Sequence, residues 1–253
     1  MDADQVEQVI RTGIALVLMT AAALVVFRLG ALRLKGEFLV SVLRALVQLT
    51  LVALVIAWIF MHPEGAYLYL AVMLLVAAWT STRRIGGDRR DYLFVLLAIG
   101  LGAGATIGIV LITGALPRTA QSMLPFSAQM IGGAMAAGSL AGLRLRDDIR
   151  ANWGEFEGYL ALGATVQRAG REFANRATQR SLVPALDQTK SAGLVTLPGA
   201  FVGLLLGGAS PALAAQIQLL VLVGLLLAQA LTSLLVTRWM SPIERLPPFV
   251  VTK

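Results

Sequence analysis

Apolar residues fill this chain in long runs, broken by a few short polar segments and one long one. A helix needs about 20 mainly apolar residues to cross the hydrocarbon core of a bilayer. By that measure seven stretches qualify: about 9 to 27, 38 to 60, 66 to 82, 92 to 114, 124 to 143, 192 to 209 and 213 to 237. The third and sixth are short, and Pro198-Gly199 and Gly207-Gly208 interrupt the sixth, so a count of five or six is also compatible. Everything here predicts an all-α, polytopic fold.

The long polar break runs from Arg144 to Lys190. From Trp153 to Leu182 it has no proline, is rich in Ala, Arg, Gln and Glu, and sets Phe156, Leu160 and Ala164 on one stripe, so it reads as helical. Gly163 interrupts it, which predicts two helical pieces rather than one. An amphipathic helix lying on anionic lipid and a docking element for a soluble partner both fit this pattern.

Composition fixes the solvent. Hydrophobic residues make up 57% of the 253 and charged residues 14%, too few to clothe a soluble domain of this size. The formal charge is +7, but the basic residues are not spread as for a nucleic-acid groove. They follow spans one, three, five and seven: Arg28, Arg33 and Lys35; Arg83, Arg84, Arg89 and Arg90; the Arg144 to Lys190 cluster; Arg238, Arg245 and Lys253. The opposite loops hold only Arg118, with Arg11 at the N-terminal boundary. That asymmetry puts the N-terminus outside and the C-terminus in the cytoplasm, supports seven spans and excludes nucleic acid as a partner. The acidic start, Met1 to Glu7, lacks a positive n-region and reads as a retained tail rather than a signal peptide.

The absence of cysteine removes disulfides, thiolate nucleophiles and thiolate metal sites, and the lone His62 reads as an interfacial residue. No Asp or Glu lies mid-span, which disfavours an ion-coupled secondary transporter. No Gly-x-x-x-x-Gly-Lys-Ser/Thr occurs, so any ATP binds a different polypeptide. Arg44, two turns into span two, has Gln48 one turn further along the same face; it is either a snorkelling residue or a gate facing a cavity. Gln129 needs a partner or a wet cavity. Met123, Met130 and Met135 are packing material or soft ligands, with Met135 a weak metal candidate. Gly100, Gly102, Gly104 and Gly108 in span four, with Gly100, Gly104 and Gly108 at four-residue spacing, and Gly132, Gly133, Gly138 and Gly142 in span five, suit close helix packing or a glycine-lined path. A membrane enzyme would need a general base such as Asp91 or Asp187; both sit beside basic residues and read as solvated loop charges.

Glu157 and Gly163 resemble the E-x5-G coupling segment of ABC transporter permeases. The longer run is more specific: Leu162-Gly163-Ala164-Thr165, then Pro184, Asp187, Lys190, Gly193-Leu194-Val195, Leu197-Pro198-Gly199 and Gln218, with Arg44-Ala45 and Gln48-Leu49 in span two. Together they are similar to the Fet-type iron-export and aluminium-tolerance ABC permease family, over about residues 38 to 240. That resemblance implies one transmembrane permease domain, 1 to 253, in the plasma (inner) membrane, with residues 144 to 190 as its cytoplasmic coupling segment. It implies export of a metal ion such as iron, or of an organic substrate such as a nucleotide sugar. The partners implied are a second copy of the chain and a separate ABC ATPase that carries ATP and Mg; this chain holds no cofactor and performs no catalysis. Glu157, Leu162, Gly163, Ala164 and Thr165 would couple to the ATPase, while Arg44, Gln48, Gln129 and Met135 would line the cavity. The chain departs from the family pattern at Ala128-Gln129, Gly133, Ala200-Phe201 and Ser210, positions where the family tends to place potential soft or oxygen ligands.

Overall fold

In a computed structural model of the chain, residues 3–32 and 34–242 are described; Arg33, Arg245 and Lys253 of the charge argument lie outside them. The described residues form helices α1 (Ala3–Leu29), α2 (Lys35–Met61), α3 (Gly65–Ile85), α4 (Arg89–Thr113), α5 (Ala120–Ala151), α6 (Trp153–Ala161), α7 (Val166–Ser191), α8 (Gly199–Leu206) and α9 (Pro211–Met240). Five of these, α1, α2, α3, α4 and α9, are long and apolar enough to cross a membrane. The fold is therefore that of an all-α, multi-pass membrane protein.

Two compact units result, one ending at Met61 and the other beginning at His62. In the first, the α1 chain end turns back through Gly30, whose N–H donates to Val26 O at 2.9 Å, and the Phe27 and Phe38 rings meet edge to face. Most apolar side chains of this pair stay exposed, as with Val17 and Leu49, which suits surfaces solvated by lipid.

The second unit is a bundle of α3, α4, α5, α7 and α9, with α9 packed against α4, α5 and α7. Its core contains Ile99, Met130, Ala134 and Ala228, all fully or almost fully buried. Small residues set the spacing. A Cβ on Gly102 would run into Thr232 and the Ala228 carbonyl, and one on Gly142 would lie 2.8 Å from Ile85 Cδ1. The predicted Gly100, Gly104 and Gly108 face does not serve this purpose within the chain: Gly104 and Gly108 have nothing within 4 Å. Hydroxyls tie the buried faces: Thr232 Oγ1 donates to Ala98 O at 3.1 Å, and Ser139 Oγ to Ser81 Oγ at 2.9 Å. Such bonds satisfy polar groups that would otherwise be costly in an apolar interior.

The basic helix ends gather at one end of this unit. Arg146 donates to Gly86 O at 3.1 Å, Arg238 to Asn175 Oδ1 at 3.0 Å, and Phe94 stacks on Trp239. That joins the C-terminal ends of α3, α5 and α9 to the N-terminal ends of α4 and α7, the grouping expected from the charge asymmetry.

One predicted span is corrected. Residues 192 to 209 do not form a crossing helix: only α8, eight residues, is helical there. Eight residues rise about 12 Å, far short of the hydrocarbon core. Pro198 has no N–H to donate, and Gly193 and Gly208 take φ of 85° and 87°, which end helices on both sides. α7, by contrast, continues through Pro184 to Ser191 and packs along α5 and α9. Thr178 and Thr237 hydroxyls lie 2.8 Å apart, and Ser181 Oγ donates to Ser233 Oγ at 3.1 Å, so α7 and α9 run antiparallel.

Candidate functional site

The two helical pieces expected on either side of Gly163 are α6 and α7. α5 is 32 residues long, about 48 Å at 1.5 Å per residue, so it outruns the predicted span 124 to 143 by two turns. Those turns, α6 and the start of α7 form an elbow with its own buried cluster: Leu145, Ile149, Phe156, Ala169, Phe173, Ala174 and Ala177. Phe156 is the anchor. It is fully buried, with the Trp153 ring 5.2 Å and the Phe173 ring 6.0 Å from its own. Burying such a ring contributes about 1.5–3 kcal/mol, enough to hold a nine-residue helix that would not persist alone. Leu160 packs partly against the cluster, as the predicted stripe requires, whereas Ala164 falls in the turn.

The Leu-Gly-Ala-Thr run has a definite local structure. Gly163 N–H donates to Leu160 O at 2.9 Å and Ala164 N–H to Tyr159 O at 3.0 Å, the paired bonds of a Schellman cap, with Gly163 at φ 85°. Thr165 then caps the next helix: its Oγ1 accepts from Arg168 N–H at 3.3 Å. One helix is thus ended and another begun within four residues. Glu157 stands exposed on α6, about 100° around the helix from Phe156, and Leu162 is 87% exposed at the bend.

A brace behind the elbow was not foreseen from the sequence. Asp148 of α5 is buried, and Asn152 Nδ2 donates to its Oδ1 at 3.1 Å. Arg176 Nε lies 3.3 Å from Asp148 Oδ2, an ion pair without hydrogen-bond alignment, and Arg180 lies 3.5 Å from Oδ1. Arg176 also reaches Glu155 of α6 at 3.4 Å and sits 4.5 Å over the Phe173 ring. One guanidinium therefore ties α5, α6 and α7 together. The available signal was Asp147-Asp148 in the final turns of a helix, where the macrodipole disfavours acid and some other contact must compensate.

The predicted cavity residues divide between the two units. Arg44 and Gln48 are both exposed, one turn apart on α2, in the first unit. In the second, Gln129 is exposed on α5 while Met135 is half-buried against the core, on a different face of the same helix. Met130 is fully buried and Met123 packs beside the core. No group of three or more His, Cys, Asp or Glu among the described residues comes together to hold a metal. Two departures from the family pattern have plain structural roles. Gly133 meets Leu225 and Gln229 of α9, and Ser210 caps α9 by accepting from Leu213 N–H at 3.3 Å, a task Asp performs equally well.

Asp91 and Asp187, weighed as candidate bases, are both helical rather than in loops. Asp88 and Asp91 form a reciprocal capping box at the start of α4, and the backbone N–H groups of Asp91 and Arg90 hold the Asp88 carboxyl below its ordinary range. Asp187 pairs with Lys190 at 3.8 Å on the exposed side of α7.

Other motif residues converge that composition alone would not connect. Gln218 is buried on α9, and its Oε1 accepts from Phe201 N–H at 3.1 Å, holding the start of α8. Gly193, Leu197 and Pro198 join Gln218 and Thr189 around a cavity of about 230 Å³.

Five helices long and apolar enough to cross a membrane, with a basic end and an elbow projecting from the bundle, define a multi-pass integral membrane protein. The chain belongs to the family described as Uncharacterised protein family (UPF0014), which matches residues 9–243. It is 35% identical over 211 residues to Protein ALUMINUM SENSITIVE 3 of Arabidopsis thaliana, covering 80% of this chain and 77% of that protein. It is 34% identical over 225 residues to UPF0014 membrane protein STAR2 of Oryza sativa subsp. japonica, covering 88% and 78%. To Probable iron export permease protein FetB of Escherichia coli (strain K12) it is 29% identical over 224 residues, covering 88% and 86%. No solved structure matches the chain. The family resemblance drawn from the motif residues is thereby borne out.

Proposed function

We propose that this chain is the membrane permease subunit of an ABC exporter, working as a homodimer with a separate ATPase and moving a metal ion such as iron. The observation that carries this reading is the elbow. Its inner face is locked to α5 and α7 by Phe156 and the Asp148–Arg176 brace, while Glu157 and Leu162 on its outer face are exposed. A short rigid helix with a bare outer face, at the basic end of the bundle, is suited to receive a push from a soluble partner and pass it into two long helices. The coupling part is then narrower than residues 144 to 190: it comprises the last turns of α5, α6, the Gly163 bend and the start of α7. The iron cargo rests on the similarity to the probable iron export permease of Escherichia coli.

Reconstitution of the chain in proteoliposomes with an ABC ATPase subunit tests this. ATPase activity rises in the presence of iron or another transition metal, and Glu157→Lys lowers the stimulation while the protein remains monodisperse. Stimulation by nucleotide sugars alone replaces the cargo and keeps the ABC reading. Transport that continues without the ATPase overturns it in favour of a secondary transporter.

A further inference from the structure

Hydropathy misplaces the return crossing between α5 and α9. The Thr178–Thr237 pair puts the middle of α7 level with the end of the apolar stretch 213 to 237. From Ser181 to Ser191, α7 climbs a further 16 Å or so beside α9, roughly half of a hydrocarbon core of about 30 Å. It ends where Thr189 and Ala192 share a cavity with Gln218 and Leu222, where the first third of α9 meets the middle third. The chain then leaves helical geometry over Ala192–Pro198, and α8 adds about 12 Å before α9 begins.

Two properties of this level are incompatible with lipid. Asp187, Gln188 and Lys190 are exposed on α7, with the Asp187 and Lys190 side chains 65% and 73% accessible. A charge at the bilayer centre costs about 2.5–3.5 kcal/mol or more, and the exposed residues Leu97 and Leu101 of α4 and Val223 of α9 are all apolar. Non-helical backbone at membrane depth is tolerated only inside protein or along a wet cavity, yet Leu194 and Val195 are 91% and 81% exposed. The break is also built rather than loose. Ser191 O accepts from the N–H groups of Leu194, Val195 and Thr196, and Gln218 secures Phe201.

The geometry points to the second half of α7 and α8 as one discontinuous crossing, whose break lines a water-filled stretch of the transport pathway and admits a hydrated, charged or strongly polar solute. This rests on the permease reading, with the second copy supplying the facing wall. Seven crossings are kept, the sixth starting near residue 181 instead of 192. Carboxylate, ammonium and amide at mid-depth then line the path, in place of a span without charge.

The chain has no cysteine, so single cysteines report without background. Asp187→Cys, Gln188→Cys and Val195→Cys are introduced separately into the full chain in proteoliposomes with its ATPase partner, with Leu101→Cys and Val223→Cys as lipid-facing comparisons. The probe is a positively charged, membrane-impermeant methanethiosulfonate, and every thiol is counted again after solubilisation in detergent. The pathway cysteines react about tenfold or more faster than the comparisons, in keeping with water at a site where lipid would exclude the probe. Reaction no faster than at Leu101→Cys overturns the broken crossing. If one variant fails to insert, the other two read the same outcome. Labelling together with no ATPase stimulation in the unsubstituted chain sinks the ABC reading and keeps the crossing, whereas stimulation of the unsubstituted chain with unreactive cysteines does the reverse.

Discussion

Gly163 illustrates how a single residue can be explained by local geometry before any function is invoked. At φ 85° a side chain meets no neighbour, since nothing lies within 4 Å of its Cβ position, but the backbone itself is strained. Gly163→Val therefore costs about 1–2 kcal/mol, lowering the melting temperature in detergent, whereas Gly163→Asn, which tolerates the left-handed region, costs less. Both leave the bundle folded, and Gly163→Val lowers partner-stimulated ATPase activity more. Asp148 is the opposite case, a residue whose importance lies in its partners. Asp148→Ala leaves Arg176 without its buried counter-charge and Asn152 without its side-chain acceptor, and destabilises the fold by about 1–3 kcal/mol, measured as the shift in melting temperature. Asp88 adds a pH dependence. Its carboxyl is held low by the N–H groups it caps, so its contribution is fully present above the unfolded carboxylate range and fades as pH falls through the lower folded value. Melting curves of wild type and Asp88→Asn, which keeps the cap without the charge, should diverge above that range and converge at low pH.

At the scale of elements, glycine spacing in α4 is instructive. The four-residue repeat Gly100, Gly104, Gly108 has the pattern of a helix-packing face, yet the glycine in tight contact with α9 is Gly102. Gly102→Leu should destabilise the bundle by about 1–3 kcal/mol through overpacking, while Gly104→Leu leaves the chain's own fold intact; thermal melts of the two variants check this. Spacing tells which residues share a face, but only the neighbouring helix tells which face is used. α7 presents a similar problem. Its buried stripe of Ala169, Phe173, Ala177, Ser181 and Ala185 recurs every four residues, a clean helical period, but nothing in that period says that the stripe meets α9. Its polar outward face lowered its hydropathy below any span threshold, and the apolar stretch that follows drew the predicted crossing about eleven residues too late.

For the whole molecule, the basic end was legible because it is a sum over many residues, insensitive to where any one helix starts. The elbow was half legible. Its bend was written in Leu-Gly-Ala-Thr as a helix stop followed by a helix start, and the structure has both caps where the residues suggest. The brace behind it was not, because Asp148, Glu155 and Arg176 come from three helices and share no spacing.

By itself, then, the sequence determined that the chain lives in a bilayer, that it is helical, which ends are basic and where the elbow turns. Each of these follows from local chemistry: transfer of side chains to lipid, backbone propensity, charge at membrane boundaries, and a glycine at positive φ. The tertiary structure alone decided that α7 runs beside α9, that Gln218 holds α8 across a break, and that Asp187 and Lys190 stand level with the middle of a crossing helix rather than in a loop. Those facts depend on which helix faces which, and that is settled by pairs such as Thr178 with Thr237, distant in sequence and joined only when the bundle closes.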